Sequence, residues 1–101
     1  MNIVNLTPHE IILCGKKIAS SGLARCESNT IKIDEIDGIK VNKRQFGAVY
    51  GLPEQRADTI YIVSALVAQA VSGIRNDVYI VDETIRDEEG KIVGCNALAR
   101  V

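Results

Sequence analysis

The chain has 101 residues, 47% of them hydrophobic and 25% charged, and 12 Lys and Arg against 13 Asp and Glu leave a formal net charge of -1. That composition fits one folded domain over residues 1–101 and excludes a disordered chain. The balanced charge argues against a nucleic-acid polymer as partner, because phosphate neutralisation needs a basic surplus. No apolar run approaches the ~20 residues of a membrane span, and the polar opening residues carry no signal-peptide pattern. The three cysteines Cys14, Cys26 and Cys95 make an odd set without a CxxC pair. They read as free thiols in a reducing compartment, which implies a cytoplasmic protein. With the lone His9 they show no zinc spacing, so no metal site is expected.

In chain order, alternation of apolar and polar residues predicts strands over 2–6 and 10–14. Thr7-Pro8-His9 separates them, since proline cannot donate to a ladder. Gly15-Lys16-Lys17 reads as a tight connection into a short extension at Ile18 and Ala19, and Ser20-Ser21-Gly22 as a loop. Residues 23–27 and 30–34 alternate as two strands about a turn at Ser28-Asn29, with Ile31 and Ile33 on one face. Asp37-Gly38 is a hairpin dipeptide. The strand beginning at Ile39 and Val41 is interrupted by the polar Lys43-Arg44-Gln45 and resumes over 46–50.

After Gly51-Leu52-Pro53 and the charged stretch 54–58, residues 59–63 form a β-favouring apolar run suited to a central strand. A helix is predicted over about 64–72, with Ser64 as N-cap and Gly73 as terminator, apolar nearly all round and so enclosed by protein. Residues 78–81 read as a strand. Residues 84–86 and 91–94 form a hairpin about Asp87-Glu88-Glu89-Gly90, and 95–101 is apolar enough to be ordered. The expected fold is α+β: a mainly antiparallel, strongly bent sheet or partial barrel of short strands with one main buried helix.

Three places offer binding chemistry. In Asn5-Leu6-Thr7-Pro8-His9 the proline fixes a turn around an amide, a hydroxyl and an imidazole. Asn5 can read a base edge or ribose, Thr7 can meet a phosphate oxygen, and His9 can stack or donate. Alternatively Asn5 and Thr7 satisfy the turn's own backbone and His9 lies on the surface. Ser64 opens the helix, where free N–H groups suit an anion, or it is a cap alone, since phosphate-loop glycines are missing. The third place is the arginine set Arg25, Arg44, Arg56, Arg75, Arg86 and Arg100. Their forks fit phosphate, though surface arginines are commonly solvated. Within Arg75-Asn76-Asp77, Asp77 could pair with Arg75 or bind a ribose diol. A nucleophile elbow, HExxH, paired catalytic carboxylates and a dinucleotide fingerprint are all absent, so a non-enzyme without cofactors is expected. A thiol dyad of Cys26 or Cys95 with His9 is not specified by spacing.

Through Asn5-Leu6-Thr7-Pro8-His9 the chain resembles a family of short phage and prophage proteins that open with this signature. The likeness continues in Ser21-Gly22 with Ala24-Arg25, in Gly51-Leu52-Pro53 and in Tyr61-Ile62-Val63-Ser64. It goes on in Arg75-Asn76-Asp77, then in Arg86-Asp87 with Gly90 through Gly94. The resemblance implies a phage-related origin. Small non-enzymatic phage proteins often act against host defence, so it further suggests a sponge that traps a nucleotide immune signal such as a cyclic ADP-ribose derivative. Its ligand-binding residues would be Asn5, Thr7, His9, Arg25, Ser64, Arg75 and Asp77, with few aromatics (Phe46, Tyr50, Tyr61, Tyr79) to stack a base. The alternative is a protein–protein module, either a virion assembly factor or an inhibitor of a host protein. A small hydrolase of the same signal is the third reading. A homo-oligomer is expected in either of the first two cases, to cover sheet edges.

Overall fold

Alternating apolar residues and well-placed turns build eight strands and one helix. A computed structural model describes residues 1–101, the side chain of Phe46 excepted. The chain runs β1 (Asn2–Asn5), β2 (Ile11–Leu13), β3 (Lys16–Ile18), β4 (Arg25–Ile36), β5 (Ile39–Tyr50), β6 (Thr59–Ile62), α1 (Ala65–Ala70), β7 (Val78–Arg86) and β8 (Ile92–Ala99).

Six strands form one sheet in the order β1-β6-β7-β8-β2-β3. Strands β1, β6 and β7 are parallel, with Asn2 opposite Thr59, Asn5 opposite Ile62 and Tyr61 opposite Val78. Strands β7 and β8 are antiparallel, as are β2 and β3, while β8 meets β2 in parallel at Cys95 and Leu13. The sheet then nearly closes on itself: Asn5 at the end of β1 bridges Ser20 just beyond β3, and the Ser21 N–H donates to the Asn5 carbonyl at 2.8 Å. A partial barrel is therefore present, but the expectation of a mainly antiparallel sheet is corrected to a mixed one. The cause is the crossover. A strand that returns through a helix re-enters the sheet in its original direction, and α1 lies between β6 and β7 in this way.

Strands β4 and β5 stand apart as a two-stranded antiparallel ribbon of 12 residues each. Asp37 and Gly38 turn it with φ of 49° and 79°, both positive as a type I′ hairpin requires. The breaks expected at Ser28-Asn29 and at Lys43-Arg44-Gln45 do not occur: Asn29 pairs with Gln45, Thr30 with Arg44 and Ile31 with Lys43. Turn-forming and charged side chains are tolerated because the ladder satisfies the backbone and the outer ribbon faces water. Register shifts at Cys26/Ser28 and Lys32/Asp34 bend the ribbon instead of ending it.

Helix α1 is six residues long, shorter than the expected 64–72, with Val71 at its C-cap. Val67 and Ala68 are buried while Leu66 is 42% exposed, so only one face is enclosed. That face packs on β7 and on the base of the ribbon. Leu6, Ala24, Tyr61, Val63, Val67, Ala68, Val71 and Val78 form the core there, with Cys26, Val49 and Leu52 against it. Burial of each large apolar side chain contributes roughly 1.5–3 kcal/mol before entropy. Among the described residues no helix is long and apolar enough to cross a membrane.

Candidate functional site

The corner after β1 is organised by one side chain. Asn5 is fully buried, and its amide group has a partner at every position it can use. Its Nδ2 donates to the His9 carbonyl at 2.7 Å and to the Ile18 carbonyl at 3.0 Å. Its Oδ1 accepts from the Thr7 N–H at 2.9 Å and from the Thr7 hydroxyl at 2.6 Å. Asn5 thus ties the turn at residues 7–9 to the end of β3 and fastens the barrel where it closes. Ser20 adds to this, its hydroxyl donating to the Thr7 carbonyl at 2.6 Å.

The turn so held faces a cavity of about 440 Å³. Thr7, His9 and Glu10 come from the corner, Ile11 and Ile12 from β2, and Val63, Ser64 and Ala65 from the entry to α1. Ile80 and Val81 of β7 and Ile92, Val93, Gly94 and Cys95 of β8 complete the wall. The proline-fixed corner and the start of the helix, which are far apart in sequence, therefore line the same space. The wall is largely aliphatic, and neither Lys nor Arg is among its lining residues.

The polar groups differ in what they have left to offer. The Thr7 hydroxyl proton is engaged within the turn, leaving mainly an acceptor. Ser64 Oγ accepts weakly from the Val67 N–H at 3.5 Å, and among the described residues its hydroxyl donates no hydrogen bond. His9 is exposed, with only its carbonyl engaged in the turn among the described hydrogen bonds. Cys95 is buried, and burial pushes its thiol above the ordinary value, with Cys14 adding to the shift. That keeps the group a thiol and weakens it as a nucleophile. The arrangement can enclose an apolar or aromatic group and meet its polar edge with a hydroxyl and an imidazole.

The remaining candidates lie elsewhere. Arg75 and Asp77 engage each other: Nε donates to Oδ1 at 2.9 Å and Nη2 to Oδ2 at 2.8 Å, with the Asp77 side chain 5% exposed. These hydrogen bonds hold the Asp77 carboxyl below its ordinary range and raise Arg75, while desolvation opposes both shifts. The Arg75 guanidinium also lies 6.0 Å from the centre of the Tyr61 ring. Arg25 sits at the base of the ribbon beside Cys26, Glu27, Ser28, Asn29 and Tyr50 in a separate, polar hollow. The aliphatic lining from β2, β7 and β8 escaped the sequence reading because Ile12, Ile80 and Val93 alternate as core residues do. Nothing local marks them as facing a cavity. Among the described residues no group of His, Cys, Asp and Glu could hold a metal ion. Comparison with family models, with curated proteins and with solved structures gives no match.

Proposed function

We propose that this chain is a non-enzymatic small-molecule trap of the phage anti-defence kind, which sequesters a nucleotide-derived immune signal of the cyclic ADP-ribose type. The observation that carries the reading is the meeting of Thr7, His9 and Ser64 on one aliphatic-walled cavity of about 440 Å³. That volume and lining fall within the range of small-ligand sites. With no Lys or Arg among the lining residues, the reading assigns the base and ribose to the cavity. The phosphates are left at its open mouth, near His9. Arg25, Arg75 and Asp77 have no part in this cavity: Arg25 lies in a separate hollow, and Arg75 and Asp77 engage each other.

The test is to incubate the protein with a cyclic ADP-ribose-type molecule, heat-denature it and chromatograph the supernatant before and after heating. Depletion followed by release of intact ligand is the expected result. Release of an altered molecule would mean hydrolysis, and no depletion would overturn the proposal. A protein–protein module is the second reading, favoured by the exposed outer half of the β4–β5 ribbon.

A further inference from the structure

The outer half of the ribbon has two unlike faces. Residues directly opposite one another in an antiparallel ladder share a face. Ile31 pairs with Lys43, Asp34 with Val41 and Ile36 with Ile39, and these rows share one face because the shift between Lys32 and Asp34 restores the alternation. The other face carries Thr30 with Arg44, Lys32 with Asn42 and Glu35 with Lys40. One face is therefore polar throughout. The other is an aliphatic stripe of Ile31, Val41, Ile36 and Ile39, with Ile33 as the extra residue at the bulge. Ile33 and Ile36 are each 56% exposed and Ile39 is 66% exposed. Among the described residues nothing in the rest of the chain covers them, because the ribbon packs on α1 at its base. A lone two-stranded ribbon is at best marginally stable in water, and an aliphatic face left wet weakens it further.

We infer that this half-ribbon is a dimerisation arm, its aliphatic face packing on the same face of a second copy about a two-fold axis. The charges specify that occupant. In the aliphatic part of the stripe, the face bears one acid, Asp34, and one base, Lys43, on adjacent rows. Among the described residues neither forms an ion pair within the chain. A two-fold axis running along the ribbon lays each row on the same row of the other copy, so the row of Ile36 and Ile39 meets its own counterpart and Asp34 of each copy falls diagonally across from Lys43 of the other. The face is thus complementary to itself in charge as well as in apolar character, the condition for an isologous contact. A stripe of so few residues is expected to bury less than the ~1,600 Å² of a standard interface, so the dimer is expected to be reversible.

Sedimentation-velocity ultracentrifugation of the full chain, without ligand, from low micromolar to several hundred micromolar tests this. A concentration-dependent monomer–dimer equilibrium is expected. Ile36→Asp should raise the dissociation constant at least tenfold while leaving the circular dichroism and Tm of the barrel unchanged. Asp34→Lys alone and Lys43→Asp alone should each weaken association, and D34K/K43D together should restore most of it. A monomer at every concentration, a dimer indifferent to Ile36→Asp, or a folded double variant that regains no association would each overturn the inference. So would a monomer that uses the stripe to bind anionic lipid vesicles. None of these results bears on whether the cavity holds a ligand.

Discussion

Replacing Asn5 by alanine removes the fastening of the barrel without opening a large void, so its effect can be worked from the hydrogen bonds. Four are lost: two donated to the His9 and Ile18 carbonyls and two accepted from Thr7. At about 0.5–1.5 kcal/mol net for each, the simple sum is roughly 2–6 kcal/mol. The bonds share one side chain and do not add fully. The Thr7 hydroxyl can also turn to the His9 carbonyl, already 3.1 Å away. The expected loss is therefore about 3 kcal/mol. For a domain of this size it should lower Tm by at least ~10 °C, since each kcal/mol moves Tm roughly 4–8 °C. Urea denaturation followed by circular dichroism measures it directly. Thr7→Val, which removes one hydroxyl and leaves the amide contacts to both carbonyls, should cost less than half as much. A loss below ~1 kcal/mol for Asn5→Ala would refute the argument that this amide closes the barrel.

Arg75→Ala strands a carboxylate that is 5% exposed and should cost about 2–4 kcal/mol in chemical denaturation. The pH dependence has a definite sign. Asp77 is held below its ordinary value, chiefly by the Arg75 hydrogen bonds, so its stabilisation is complete above the unfolded-state value of ~3.9 and is lost as pH falls through the lower folded value. Denaturation of Asp77→Asn across acid pH should accordingly show a shallower fall in stability than the parent chain. Gly51 has φ of 80°, and a Cβ there would collide with the Leu23 carbonyl. Gly51→Ala should therefore cost about 1–3 kcal/mol by thermal melting, and Ala48→Gly nearby should not reproduce the strain. Alkylation at neutral pH, read by peptide mass spectrometry, should label exposed Cys14 quickly and buried Cys95 only on unfolding.

What the sequence made legible follows the reach of each signal. Local signals held: Asp37-Gly38 turns a hairpin, Asp87 through Gly90 turns another, Ser64 caps the helix and Tyr61-Ile62 lies buried in the sheet. Pairing is a longer-range matter. That β6 and β7 run parallel depends on a crossover whose ends no single residue marks. Ser28-Asn29 and Lys43-Arg44-Gln45 look like breaks in isolation and become ladder residues only because each stretch finds the other. The site divides in the same way. Asn5-Leu6-Thr7-Pro8-His9 stood out, yet the amide that drew attention as a ligand reader spends all its hydrogen bonds on the turn and on the end of β3. Arg75 and Asp77 stood out too, and they satisfy each other. The aliphatic wall opposite His9 gave no signal, because a residue facing a cavity and a residue facing a core alternate identically.

The most direct trial of the cavity reading is isothermal titration of the protein with a cyclic ADP-ribose-type molecule, run in parallel on Ala65→Trp. Ala65 is exposed and lines the cavity, so the indole should fill the space while leaving the fold intact. Binding by the parent chain, weakened at least tenfold by the tryptophan at unchanged Tm, is the expected outcome. Equal affinity in both proteins, or no heat of binding in the parent chain, would contradict it.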